Sequence, residues 1–225
     1  MSVSKMYIMK KPPPGLFCYL YKNLLGMKLL KITILLFVIS CKAQSPEIPL
    51  LDITTNYVAG AWYKDIDNEF LKFTGTWKYE DTTTNTSFTI TLQKKTAFYS
   101  VVDNYYEDII IGEYKFIQNG VEVVNTLPNL SVAYTNEFFY NIAGGLIIDI
   151  YSTTAGNRPL KFRFNDPERD YLNVSMRVYY IAPQGSMPAK IKIEWTGASS
   201  WLPDDNSPTD IRVPTAQEYI LTKQP

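Results

Sequence analysis

The sequence contains no histidine and only two cysteines, Cys18 and Cys41. Without histidine, the chain cannot build a Ser-His-Asp or Cys-His catalytic group, a histidine metal site or a histidine-ligated haem. Beyond Cys41 the chain has no cysteine, so the folded part offers no disulfide, thiolate nucleophile or cysteine metal site. Acid–base chemistry near neutral pH would have to use carboxylate pairs, lysine or tyrosine. We therefore predict a protein that is not an enzyme and that uses no cofactor and no metal.

The folded part also lacks an excess of positive charge. The first 40 residues hold six lysines and no acidic residue, so the remaining 185 residues carry 16 basic and 22 acidic side chains, a net charge of −6. The zero net charge of the whole chain hides this difference. A mildly acidic body without a basic stripe argues against nucleic acid as a partner.

A short apolar segment precedes Cys41. Lys28 and Lys31 supply a positive region and residues 32–39 supply an apolar region, the arrangement of a secretory signal peptide. An apolar run of eight residues, at about 1.5 Å each, spans far less than the ~30 Å of a bilayer core. We therefore predict a removable signal over residues 27–40 and not a permanent membrane span.

The end of this segment, Val38-Ile39-Ser40-Cys41, resembles the lipobox of bacterial lipoproteins, in which an aliphatic residue and two small or aliphatic residues precede a cysteine. The resemblance implies cleavage between Ser40 and Cys41 and transfer of a diacylglyceryl group to the Cys41 thiol. An ordinary signal peptide is the alternative, but no A-x-A-like site precedes Ala43. Three acyl chains would hold the protein stably on a membrane.

Residues 1–26 fit no part of this signal. They include a run of three prolines, and Phe17 before Cys18 is too bulky for a second lipobox. We interpret them as an over-extended start, with Met27 as the initiator; the alternative is a long n-region that is removed with the signal.

A polar, proline-containing stretch follows Cys41, and we predict that residues 41–58 form a lipidated tether. Beyond it, Asp67 is predicted to cap one short helical turn, with Asp65 and Glu69 in the same solvated loop. A cation site is the alternative, but the glycine turn and distal glutamate of a calcium loop are missing.

Apolar and polar residues then alternate with a period of two as far as the C-terminus, a pattern typical of half-buried strands. Asn119-Gly120 is a strong hairpin turn because both residues tolerate positive φ. The predicted strands cover residues 73–80, 88–93, 109–116, 121–125, 132–140, 146–151, 160–164, 172–180, 190–195 and 218–222.

These strands predict an all-β domain over residues 59–225. We expect a single antiparallel β-barrel or barrel-like sandwich of about 8–10 strands with one short N-terminal helical turn. A barrel is favoured because closing the sheet removes its exposed edges.

The start of the first long strand supports the barrel. Gly75-Thr76-Trp77 after a helical turn resembles the Gly-x-Trp signature of lipocalin-like (calycin) barrels. That resemblance implies that Trp77 plugs one barrel end and that a basic residue near the C-terminus, Lys223 or Arg212, packs over it.

A second resemblance covers the chain from Met27 to the C-terminus. Tyr63-Lys64-Asp65, residues 72–78 and Tyr105-Tyr106-Glu107-Asp108 are similar to segments of an uncharacterised family of Bacteroidota-type lipoproteins. The resemblance implies an outer-membrane, lipid-anchored location but no catalytic residue. In that lineage, surface export favours an acidic run just after the lipidated cysteine, and residues 42–47 lack one. The resemblance therefore implies a domain that faces the periplasm, with the cell surface as the alternative.

Aromatic residues are the main sign of a function. Beyond residue 40 the chain keeps 14 tyrosines, 9 phenylalanines and 4 tryptophans, and Tyr and Trp make good ligand walls. Tyr99, Tyr105 and Tyr106 are predicted to be exposed ligand contacts, since they occur in a loop-like stretch. The alternative is that they pack in the core, as aromatics in sheets commonly do.

Three functions remain open at this level. The first is a non-catalytic binding or interaction domain that contacts an envelope protein, and the second is a carrier of a small apolar ligand or glycan. The third is a carboxylate-based hydrolase that would use Asp166, Glu168 and Asp170, or Asp204-Asp205. We favour the first because these acidic clusters occur where turns are expected.

Overall fold

The computed structural model describes residues 45–52, 57–146 and 158–225, which all belong to one compact unit, Ser45–Pro225. The predicted signal peptide and the lipidation site, with Ser40 and Cys41, lie outside the described residues. In the part of the chain that is described, no helix is long and apolar enough to cross a membrane.

The described residues form eleven strands and four short 3-10 helices. The strands are β1 (Glu47–Pro49), β2 (Trp62–Lys64), β3 (Gly75–Asp81), β4 (Thr86–Ser100), β5 (Tyr105–Gln118), β6 (Val121–Asn125), β7 (Ile142–Leu146), β8 (Leu160–Phe164), β9 (Leu172–Ile181), β10 (Lys190–Ser200) and β11 (Tyr219–Lys223). The 3-10 helices are Leu50–Asp52, Leu71–Phe73, Leu127–Ser131 and Glu137–Phe139. The predicted helical turn corresponds to Leu71–Phe73.

Eight of the strands close into an antiparallel barrel, which confirms the predicted fold class. The order around the barrel is β3, β4, β5, β7, β8, β9, β10 and β11, and β11 returns to β3 through the pairs Thr222–Lys78 and Lys223–Trp77. The three extra strands all join the domain through β5. This strand pairs along one edge with β4 and along the other with β2, β7 and β6 in succession.

Lys223 and Trp77 close one barrel end in the way that the Gly-x-Trp resemblance implies. The indole of Trp77 is fully buried and its Nε1 donates to the carbonyl of Phe73 over 2.7 Å. The Lys223 ammonium lies 5.0 Å from the indole centroid and donates to the carbonyl of Thr74. Gly75 has a φ of +107°, a conformation that favours glycine.

The barrel interior is filled by aromatic side chains. Rings from strands that are not neighbours touch across it. The ring centroid of Phe164 on β8 lies 4.5 Å from that of Tyr114 on β5 and 6.3 Å from that of Phe88 on β4. It also lies 5.1 Å from the ring centroid of Trp195 on β10. An eight-stranded barrel is just wide enough for side chains to fill it. At this level the rings of the described residues meet across the interior.

The barrel end opposite Trp77 is closed by the long connection before β11. Ile211 and Val213 from this connection are buried in the core. Between them, Arg212 donates hydrogen bonds from its Nε and Nη2 atoms to the carboxylate of the buried Asp166. Its Nη1 atom donates to the carbonyl of Val123. Arg212 therefore does not cover Trp77, and Lys223 alone of the two predicted residues does so.

Three details of the predicted order of elements are wrong or incomplete. Residues 132–140 are not a strand; they contain the 3-10 helix Glu137–Phe139 and cover the outer wall of the barrel. Gly144 and Gly145, which lie between the predicted strands 132–140 and 146–151, are inside β7, where the close Lys161 carbonyl of β8 leaves no room for a side chain at Gly144; residues 147–151 lie outside the described ranges. The segment predicted as a tether contains β1, and Leu50 just after it is buried.

Candidate functional site

A groove of about 240 Å³ opens on the outer wall of the barrel. It combines charged side chains with apolar ones, which is the usual character of a ligand site. Its lining residues are Leu50, Glu107, Asp108, Ile109, Glu137, Phe138, Ala143, Gly144, Gly145, Leu146 and Arg163. We refer to this cavity as the outer groove.

The outer groove exists because β5 changes partners at this point. Strand β2 pairs with β5 as far as Glu107, and β7 pairs with it only from Ile110 onwards. Asp108 and Ile109 fall between these two partners. The resulting gap in the wall is roofed by the 3-10 helix Glu137–Phe139.

Two carboxylates in the outer groove have perturbed protonation. Burial, reinforced by the charges of Glu137 and Asp103, raises the pKa of Glu107 from 4.5 to about 7. Burial also raises the pKa of Glu137, opposed by the positive charge of Arg163 and reinforced by Asp103. Perturbed carboxyl groups in a cleft are a sign of a functional site.

Arg163 and Asn136 hold the roof of the outer groove in place. The Nη2 atom of Arg163 donates to the carbonyls of Glu137 (3.2 Å) and Tyr140 (2.8 Å), and its guanidinium lies 5.3 Å from the Phe138 ring centroid. The Oδ1 atom of Asn136 accepts the amide hydrogen of Phe138 at the start of the turn. The exposed ring of Phe138 is therefore presented by a fixed backbone.

A smaller cleft of about 40 Å³ adjoins the outer groove and shares Glu137 and Phe138 with it. Its other wall is the end of the β4–β5 hairpin, including Tyr99, Val101 and Val102. The exposed fractions are 73% for Val101, 85% for Val102 and 57% for Phe138. These three side chains form an exposed apolar surface, which we call the hairpin tip.

The three tyrosines predicted as ligand contacts lie near this region but differ in exposure. Tyr99 is 39% exposed and Tyr106 is half-buried, with their rings 5.0 Å apart. Tyr105 is only 5% exposed, so its predicted exposure is wrong. It begins β5 and packs edge-on against Tyr63 and stacked on Tyr57, which a reading of this stretch as a loop could not anticipate.

The acidic residues predicted to lie in a solvated loop are mostly buried instead. Asp65 accepts the amide hydrogens of Glu69 and Phe70, which is the capping role assigned to Asp67. The Lys94 ammonium lies 3.0 Å from Asp65 and 3.1 Å from Asp108.

Asp108 is held in its charged form by this network. Burial alone would raise its pKa, but hydrogen bonds from the Ala97 amide, the Trp62 indole, the Asp65 amide and Lys94 outweigh burial and lower it. The network fastens the chain before β3 onto the β4–β5 hairpin.

Three of the acidic residues considered for catalysis, Asp166, Glu168 and Asp204, have structural partners. Burial would raise the pKa of Asp166, but hydrogen bonds from Arg212 and the Glu168 amide outweigh the effect of burial, and the pKa is lowered. Glu168 is exposed and also contacts Arg212 at 2.7 Å. Asp204 caps its own turn by accepting from Asn206 and Ser207.

Sequence reasoning missed Glu137 and Arg163 as site residues and noted Glu107 only as part of a family segment. Their separation in sequence hides their proximity, since Glu107 lies on β5, Arg163 lies on β8 and Glu137 lies in a segment predicted as a strand. In the described ranges, no group of three or more His, Cys, Asp or Glu side chains could hold a metal ion.

Comparisons with known proteins give a family without an assigned activity. No curated protein matches the chain, and no solved structure matches it. The sequence model of one family matches residues 27–224, nearly the whole chain. The protein therefore belongs to a family of unknown function (DUF6705).

Proposed function

We propose that this protein is a non-catalytic binding domain that is held on an envelope membrane through lipid at Cys41 and that binds its ligand in the outer groove. The observation that carries the binding role is the contrast between a filled barrel interior and a partly apolar, charged groove on its outer wall. The lipid anchor is supported by the lipobox-like segment and the short apolar run before it.

The packing of the interior argues against a carrier of lipocalin type. A ligand in the lumen would have to displace Phe88, Tyr114 and Phe164, whose rings contact one another. The buried Tyr219 hydroxyl and Trp195 indole nitrogen lack a hydrogen-bond partner among the described residues. Two such groups are suited to an ordered internal water, which bridges buried polar atoms.

The chemistry of the outer groove defines the kind of ligand. Glu107 and Glu137 offer hydrogen-bond acceptors, Arg163 offers remaining donors, and Phe138 presents an exposed ring. These groups match a molecule with hydroxyl or ammonium donors on an apolar face, such as a sugar residue. The mild negative charge and the absence of a basic stripe favour such a ligand over nucleic acid.

The anchor is tested by feeding cells an alkyne-labelled fatty acid and detecting the label on the purified protein. We expect labelling of the wild-type chain in the membrane fraction and loss of the label in Cys41→Ser. Cys18→Ser is the matched control and should leave labelling unchanged. Equal labelling of both variants would contradict the anchor.

The outer groove is tested by photo-crosslinking in cells with benzoylphenylalanine at position 138 and, as a control, at position 201. Both side chains are exposed, but only Phe138 lines the groove. We expect an adduct specific to position 138 that weakens in a Glu107→Gln background. Mass spectrometry of the adduct then identifies the ligand, whereas equal adducts at both positions would reject the groove as the site.

A carboxylate-based hydrolase is the second candidate, and Glu107 is the observation that favours it. A carboxyl group with a pKa of about 7 can act as a general acid near neutral pH. Screening glycoside substrates with wild type and Glu107→Gln separates the two functions. A hydrolytic activity lost in the variant would replace the binding proposal.

A further inference from the structure

The point where the chain enters the domain lies beside the β4–β5 hairpin. Strand β1 runs parallel to β2, and β2 runs parallel to β5, so Glu47, Trp62 and Tyr106 lie side by side. Tyr106 follows the hairpin turn almost directly, and the turn's Asn104 carbonyl accepts the amide hydrogen of Gly60 over 2.7 Å. The incoming chain and the hairpin turn are therefore at the same end of β5.

The length of chain before β1 limits how far this end can lie from the lipid. Six peptide steps join Cys41 to Glu47, and at most ~3.6 Å per residue gives a reach of about 20 Å, whatever path the chain takes. Strand β5 has 14 residues, and at about 3.3 Å each it places Val121 roughly 40 Å from the hairpin turn. A lipid on Cys41 would thus hold one identified end of the barrel near the bilayer.

The same end carries the hairpin tip. Turns usually contain glycine, proline or small polar residues, yet this turn presents Val101 and Val102 to solvent at its most exposed point. Phe138 from the roof of the outer groove lines the cleft that they flank. Contiguous exposed apolar side chains mark an interaction surface.

We propose that Val101 and Val102 enter the head-group region of the bilayer that holds Cys41, with Phe138 beside them, and that this contact orients the barrel. The inference rests on the proposed lipid anchor. We choose the bilayer as the partner of this surface because the short chain between Cys41 and β1 keeps this end of the barrel close to it. Asp103, Glu107 and Glu137 lie near the hairpin tip, so an anionic surface would not attract it by charge. The contact is apolar, and the anchor supplies the high local concentration that a weak contact needs.

The contact is tested with the lipidated protein, which begins at the acylated Cys41 and has no other native cysteine, carrying either Val102→Cys or Val121→Cys. Val121 is a matched control because it is a 65% exposed valine at the far end of β5. Each thiol is labelled with an environment-sensitive fluorophore, and the protein is placed in vesicles of phosphatidylethanolamine and phosphatidylglycerol with nitroxide lipids. The intact mass is measured first, to establish that Cys41 carries the acyl groups.

Apolar groups at the interface reach about 5–10 Å into the head-group boundary. We therefore expect blue-shifted emission and roughly five-fold stronger nitroxide quenching at position 102 than at position 121, given about 40 Å between the two positions. Equal quenching in fully acylated protein would overturn the contact and leave the anchor intact. A chain without acyl groups would overturn the anchor itself, and the contact with it. A blue shift at position 102 only in native envelopes would overturn the bilayer contact in favour of a protein partner.

Discussion

Replacing Glu107 with glutamine should change how stability depends on pH, because the carboxyl group of Glu107 is protonated more readily in the folded chain. The pKa of Glu107 is about 7 in the folded chain, whereas the ordinary value of 4.5 applies to the unfolded chain. Between pH 4.5 and 7 the folded state binds a proton that the unfolded state has released. This stabilisation is present below pH 4.5 and is lost as the pH rises through 7.

The magnitude follows from the size of the shift. At 1.36 kcal/mol per pKa unit, the shift from 4.5 to about 7 corresponds to ~3 kcal/mol, which solvent in the open groove reduces to about 1–2 kcal/mol. Urea unfolding of wild type and Glu107→Gln at pH 5 and pH 8 measures this difference. From pH 5 to pH 8, wild type should lose about 1–2 kcal/mol of unfolding free energy, the amount that protonation of Glu107 supplies. The glutamine variant should not lose it, so its stability relative to wild type should rise by that amount.

Glu122→Gln is the matched control for this measurement. A hydrogen bond from Lys115 lowers the pKa of Glu122, so its carboxylate titrates below pH 4.5 and stays ionised at both values. The difference between Glu122→Gln and wild type should therefore be the same at pH 5 and pH 8. If Glu107→Gln were equally insensitive to pH, Glu107 would not be buried in the outer groove as the structure places it.

Three further substitutions test the barrel itself. Gly144→Ala should lower the free energy of unfolding, measured by urea titration, by ~2–4 kcal/mol, because the new Cβ atom would overlap the neighbouring strand. Gly197→Ala is the control: a Cβ atom there has open space, and the free energy should change by under about 0.5 kcal/mol. Asp166→Asn removes the negative charge that pairs with the largely buried Arg212 and should lower the free energy of unfolding by about 3–5 kcal/mol, measured by thermal unfolding at pH 7. A loss under about 1 kcal/mol would contradict this closure of the barrel end. Lys223→Met removes the ammonium over the Trp77 indole and should cost about 1–2 kcal/mol in the same assay. No loss would mean that this contact does not stabilise the barrel end.

The sequence alone determined the fold class, because strand formation here depends on local alternation. Phe162 and Phe164 on β8, and Val174, Met176 and Val178 on β9, are buried while the residues between them are less buried or exposed, as a period of two requires. Positive φ at Asn119-Gly120 likewise follows from residue type. The Gly-x-Trp pattern further identified Trp77 as the residue at one barrel end and offered two basic residues to cover it, of which Lys223 does so.

The positions of the barrel closure and of the outer groove depend on tertiary contacts. Gly144 and Gly145 lie between two predicted strands, but pairing with β8 makes them part of β7. The outer groove depends on the position along β5 at which β2 gives way to β7, and on a side chain of β8 that holds the 3-10 roof. Burial of Tyr105 and the raised pKa of Glu107 follow from these contacts. They depend on residues far apart in the chain, and the spacing of residue types along one segment cannot encode them.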